Sequence, residues 1–231
     1  MISDAAVIAV AAALYLFDCL VLLERGQALW SRRRLGFGSK HYQIRGKVVA
    51  VLNPFTPFIP VFRTRPLFSG SSNIKFSSAL RAVAPIGAMS LLQFVLMFVV
   101  LPWCLYRAPG WPFFIALVLA YLNALALLGF IWWRFRALGI TTRPLIALGF
   151  AWLACLPLSV NAQRKAGLAF DVAMDARQAL RLLPERERER ARGELVAQIV
   201  EAMEELEESD ERRRLAGLKR QLGPEIGHER V

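Results

Sequence analysis

The chain has 231 residues, 56% of them apolar, with six Trp, fifteen Phe and a formal net charge of +11. Residues 1–162 hold fifteen Lys/Arg against Asp4, Asp18 and Glu24, whereas residues 163–231 hold fourteen Lys/Arg against fifteen acids. The excess therefore belongs to loops between apolar runs, which argues against a nucleic-acid-binding surface and for a membrane protein whose basic loops set its orientation.

Cysteine and histidine narrow the chemistry further. Cys19, Cys104 and Cys155 all fall within apolar runs with no metal-ligand spacing, so they read as buried small hydrophobes. Histidine occurs only at positions 41 and 228. This leaves no basis for a metal centre or a histidine-based triad in the apolar runs, and no cofactor is implied.

Residues 5–23 form the first apolar run. Its flanks, Met-Ile-Ser-Asp and Leu-Leu-Glu-Arg, lack the basic start and small-residue end of a cleaved leader, so it reads as a retained anchor. Asp18 interrupts it near the end. An intramembrane carboxylate is a functional candidate, but pairing with a cation such as Arg25 or Arg134 at the interface is the simpler expectation.

Residues 24–85 read as a long basic loop, with eleven Lys/Arg against Glu24 alone. Such an excess belongs on the cytoplasmic side. Arg32, Arg33, Arg34, Arg45, Lys47, Arg63 and Arg65 are candidates for contact with anionic lipid phosphates or with a partner. Within the loop, residues 48–62 are uncharged and include Asn53-Pro54-Phe55-Thr56-Pro57-Phe58-Ile59-Pro60. Fifteen helical residues would reach only about 22 Å, and three prolines break a helix. The three-residue proline spacing suggests polyproline II, with Phe55, Phe58 and Phe62 forming an aromatic docking edge. Ser71-Ser72-Asn73 is a cap for a short surface helix over 74–83.

Residues 86–106 and 112–133 are two uncharged runs, each of about the 20 residues that cross a hydrocarbon core. The short break between them at Arg107-Ala108-Pro109-Gly110 makes them antiparallel neighbours. Trp103 and Trp111 mark one interface, and Trp132 and Trp133 the other. Gln93 and Asn123 then fall at matching depth near the midplane, where a shared hydrogen bond is expected. Residues 144–161 are the fourth and shortest crossing. If that run were re-entrant, the tail would share the side of the basic loop.

From residue 163 the pattern becomes that of soluble amphipathic helices. Leu168, Val172, Ala176 and Leu180 mark one helix, Leu195, Ile199, Met203 and Leu206 a second, and Leu215, Leu218 and Leu222 a third. The stripes are too narrow for an independent core.

The fold class expected is thus an all-α integral membrane protein. Its membrane domain, residues 1–162, has four spans at about 5–23, 86–106, 112–133 and 144–161, with the basic loop at 24–85. A soluble helical tail follows at 163–231. Four crossings with the loop inside put the tail on the opposite side of a multi-pass cell membrane protein, of the bacterial inner-membrane type. No catalytic constellation is present. By elimination the sequence reads as a non-enzymatic subunit that docks membrane partners, or a second copy, through the tail and the Pro-Phe loop. The alternatives are an enzyme acting on phosphate-bearing lipid-linked substrates, with Asp18 or Glu24 as base, and a pore or carrier lined by Asp18, Gln93 and Asn123.

Overall fold

The computed structural model describes residues 4–24, 27–31, 34–36, 39–44, 47–65, 76–107, 110–137, 143–172, 174, 176–205 and 210–222. Helices dominate these residues, and two are long and apolar enough to cross a membrane. The first, Ile86–Arg107, joins α3 (Ile86–Val95) and α4 (Leu101–Arg107) through a π turn at Leu96–Val100. Pro102 has no amide hydrogen, and its ring would press on the carbonyl of Phe98. The wider π turn just before it takes up that conflict. The second helix, α5 (Trp111–Ala137), returns antiparallel after a turn at Gly110, whose φ of 108° is the left-handed conformation glycine permits. Ala116, Ala120 and Ala124 form a buried small-residue stripe that closes the two helices together.

The all-α expectation is corrected by seven strands among the described residues. α1 (Asp4–Asp18) stops at Asp18, and the rest of the first apolar run becomes β1 (Leu20–Leu23). The helix is therefore about 22 Å long, short of the roughly 30 Å core. The segment read as a basic loop contributes β2 (Ala28–Ser31), β3 (Arg34–Gly36), β4 (Ser39–Ile44), β5 (Lys47–Val51) and β6 (Val61–Thr64), followed by α2 (Phe76–Val83). One sheet has the order β1-β5-β4; the other has β3-β2-β6-β7, where β7 is Asp171–Val172.

The fourth apolar run does not form a fourth spanning helix. α6 (Arg143–Ala154) has twelve residues, about 18 Å, and lies along α5 with Gly149 against Leu128. The chain turns at Cys155, where Leu156 joins an apolar cluster with Leu96, Leu101 and Ala120 of the hairpin. It then descends through a 3-10 helix (Leu156–Asn161) and α7 (Ala162–Leu168) to the sheets.

The tail also differs from expectation. Leu168, Val172, Ala176 and Leu180 do not share one helix: Leu168 ends α7, Val172 is in β7, and α8 is only Ala176–Leu182. Leu195, Ile199 and Met203 fall on α9 (Glu185–Glu205) and Leu215, Leu218 and Leu222 on α10 (Asp210–Leu222), while Leu206 lies outside the described residues. β7 pairs in parallel with β6, Arg63 opposite Asp171 and Thr64 opposite Val172. One continuous core contains Trp30, Phe62, Leu127, Ile131, Trp152, Phe170, Leu195 and Leu215. Strand pairing and this core therefore join segment 24–85 to the start of the tail, a packing that the expected placement on opposite sides did not foresee.

Candidate functional site: a buried polar cluster beside the hairpin

The end of α1 and the turn that follows it bring Tyr15, Asp18 and Cys19 to one side, since residues three and four apart are neighbours on a helical turn. Tyr15 packs against Phe98 and Phe94 of the hairpin, with ring centroids 5.0 and 6.2 Å away. Its hydroxyl donates to the carbonyl of Pro54. Asp18 meets Lys165 of α7 at 2.7 Å and accepts from Asn161 Nδ2 at 3.1 Å. The expected cation partners, Arg25 and Arg134, are replaced by Lys165: Arg25 lies outside the described residues, and Arg134 stacks instead on Phe130 and Trp133.

Arg164 is the centre of the cluster and is almost wholly buried. Its guanidinium donates to Asn161 Oδ1 at 3.0 Å, to Thr56 Oγ1 at 3.3 Å and to the carbonyl of Asn53. A weaker contact reaches Cys19 Sγ at 3.6 Å. These acceptors are neutral, and the nearby carboxylate of Asp18 is engaged by Lys165. This set satisfies both terminal nitrogens of the buried guanidinium, while Arg164 Nε has no partner.

The Pro-Phe segment supplies two of those acceptors because of its turn chemistry. It is not polyproline II but two successive β-turns, closed by Thr56 N to Asn53 O and Ile59 N to Thr56 O, both 3.2 Å. Pro54 and Pro57 occupy the second position of each turn, where their fixed φ is suited. Asn53 Oδ1 also accepts from Phe55 N at 3.0 Å. The proline repeat is thus a tandem turn that presents the Asn53 carbonyl and the Thr56 hydroxyl to Arg164. Of the three aromatics, Phe55 is 76% exposed and Phe58 half-exposed, but Phe62 is 1% exposed in β6. The proposed single docking edge of all three is corrected: strand pairing with Trp30 turns Phe62 into the core.

Gln93 and Asn123 meet as the antiparallel geometry requires, with Asn123 Nδ2 donating to Gln93 Oε1 at 2.7 Å and to Met89 O at 3.1 Å. The basic candidates do not converge on one site. Lys47 and Arg65 both face Glu24, at 3.9 and 3.0 Å, while Arg34 sits 3.8 Å from Glu187. Arg63 is half-buried in β6, and Arg32, Arg33 and Arg45 lie outside the described residues. Among the described residues, no group of three His, Cys, Asp or Glu side chains comes together to hold a metal ion.

Sequence reasoning missed Tyr15, Cys19, Asn161 and Arg164 as members of one cluster. The shared face of Tyr15, Asp18 and Cys19 was the available signal. Asn161 and Arg164 looked like the polar end of a crossing. No protein-family model, curated protein or solved structure matches this chain.

Proposed function

We propose that this protein is a non-enzymatic, multi-pass membrane subunit, held in a cell membrane by the α3–α5 hairpin. Only 28% of either apolar window is buried inside the protein, so these helices do not behave as core helices of a soluble fold. Leu91, Val99, Phe114, Val118 and Leu122 are exposed along them, and an apolar surface that large needs lipid or another protein as cover. Trp103, Trp111, Trp132 and Trp133 are exposed near the two ends, as interfacial tryptophans are.

On this reading the sheets, α6–α7 and the tail lie on the cytoplasmic side. Arg107 is then the sole Lys/Arg at the far turn, which satisfies the basic-residue rule more fully than a four-span arrangement. Arg164 and Lys165, which sit awkwardly beside a fourth crossing, now share the side of the other basic residues.

The observation that carries the subunit reading is Phe55. It projects from a tandem turn fixed by Asn53, Pro54 and Pro57, whereas the Asp18 carboxylate, Gln93 Oε1 and Asn123 Nδ2 are engaged in intramolecular bonds. A rigid exposed aromatic loses little entropy on docking, which is the property of an interface anchor. The mutual bonding of Gln93 and Asn123 also gives little support to a polar path through that pair. A photoreactive phenylalanine analogue at position 55, activated in native membranes, tests the proposal. It should yield one reproducible adduct with a second polypeptide, lost when an excess of unlabelled protein competes. Adducts to lipid alone would refute partner docking through this residue.

A further inference from the structure

α1 carries no charge from Ala5 to Phe17, and Tyr15 is the one side chain of the helix that is buried. Val7 and Val10 are exposed, and Phe17 is 74% exposed. A helix that is apolar on every side belongs in a protein core or among lipids, and α1 has no polar face on which to lie at a bilayer surface. The strand that follows continues the pattern. Cross-strand partners in an antiparallel pair share a face. Leu20 lies opposite Val51 and Leu22 opposite Val49, whereas Val21 and Leu23 lie opposite Ala50 and Val48. The second set turns inward, with Val21, Leu23 and Ala50 buried in one cluster. The first set is the outer face and is apolar too, with Leu20 and Leu22 exposed and Val51 72% exposed. A sheet with one face on a core and the other in water alternates apolar with polar residues, and this pair does not.

Two observations say what covers this surface. Tyr15 packs on Phe94 and Phe98, the ninth and thirteenth of the 22 residues of Ile86–Arg107. The last turn of α1 is thus level with the middle of the hairpin, not with the ends where Trp103 and Trp132 stand. Charge is graded in the same direction. Between Asp4 and Glu24 the only charged side chain is Asp18, and Lys165 engages it at 2.7 Å. Past the end of the β1–β5 ladder remote from α1, Glu24 gathers Lys47 and Arg65 at 3.9 and 3.0 Å, all three half-exposed. A protein–protein interface carries its polar groups as a surrounding rim, whereas a bilayer sorts them by depth.

We infer that α1 and the outer face of the β1–β5 pair form a second lipid-contacting surface, immersed among acyl chains beside the hairpin. The inference rests on the reading of the hairpin as membrane-spanning. Val51, at the α1 end of the ladder, lies at hydrocarbon depth. Lys47 and Arg65, at the other end, lie at the level of the lipid phosphates of the cytoplasmic leaflet, where cations are favoured. The side-chain face of the sheet meets the chains, while the ladder hydrogen bonds run in the plane of the sheet.

The test uses the full chain, its native cysteines replaced by alanine, with a nitroxide on one introduced cysteine, reconstituted in vesicles of phosphatidylcholine and phosphatidylglycerol. Spin-resonance power saturation reads collisions with oxygen, which concentrates among acyl chains, and with a water-soluble nickel chelate. Labels at Phe17→Cys and Val51→Cys should collide more with oxygen than with the chelate, as should one at Leu122→Cys on the hairpin. A label at Lys47→Cys should shift towards the chelate relative to Val51→Cys, and one at Arg213→Cys should favour the chelate outright. Should a variant at 17 or 51 fail to fold, Val10→Cys gives the same readout from an exposed position. Chelate preference at 17 and 51, with Leu122→Cys still preferring oxygen, would overturn the inference and leave the hairpin reading standing. Few collisions with either reagent at 17 and 51 would show that polypeptide covers the surface, and would overturn it as well. Chelate preference at Leu122→Cys would remove the hairpin reading and the inference together.

Discussion

Arg63 and Asp171 face each other as partners in a parallel β-ladder, one from the segment after the first helix and the other from beyond α7. Strands so joined cannot be separated by a bilayer, because each supplies the other's backbone hydrogen bonds. The proposed two-crossing arrangement, in place of the four crossings expected, rests on this pairing.

The close approach that permits this pairing depends on Gly167. A Cβ at that position would lie 2.4 Å from the Val61 carbonyl oxygen, and a backbone atom cannot swing aside. Gly167→Ala should therefore push α7 from β6 and destabilise the protein by about 1–3 kcal/mol. Thermal unfolding in detergent measures it. A melting curve equal to that of the parent would mean that α7 and β6 do not pack so closely.

Gln93 and Asn123 should show coupling in a double-mutant cycle. Either residue replaced by Leu loses a shared bond worth about 0.6–2 kcal/mol, and the double replacement should cost less than the sum. Strictly additive losses in unfolding free energy would show that the two amides act separately.

Asp18 and Lys165 should behave as a partly buried pair, their side chains being 14% and 24% exposed. Asp18→Asn alone leaves two adjacent cations, Arg164 and Lys165, without a carboxylate, and should cost about 1–3 kcal/mol, less than a fully buried pair would. Adding Lys165→Met should recover a large part of that loss. A double variant as unstable as Asp18→Asn would show that the carboxylate is needed for something other than Lys165.

How far the sequence disclosed this fold depended on how local the determinants are. The hairpin was legible because two uncharged runs and a four-residue break leave one antiparallel solution, and that solution fixed the depth of Gln93 and Asn123. The sheets were not legible because their strands are three to six residues long, apart from the two-residue β7, with no sustained alternation. Ser39 to Gln43 also carries a register shift, which further breaks the period. Leu20–Leu23 was absorbed into the first apolar run, since a short apolar stretch does not distinguish strand from helix. The cluster around Arg164 was hidden because its members come from α1, the tandem turn and α7, which only the tertiary fold unites. Pro54, Pro57 and Pro60 showed a period of three in both readings. Asn53 and Thr56, the turn-opening residues between them, were the clue to turns.

The sidedness of the chain tests the central claim most directly. Single cysteines are introduced at Arg34, Arg213 or Trp111 in a chain whose native cysteines are replaced by alanine. The three side chains or residues are 75%, 89% and 81% exposed, so each is open to reagent. An impermeant thiol reagent applied to intact cells should label Trp111→Cys only, while Arg34→Cys and Arg213→Cys should both react only after the membrane is opened. Opposite accessibility of positions 34 and 213 would contradict the shared compartment on which the account rests.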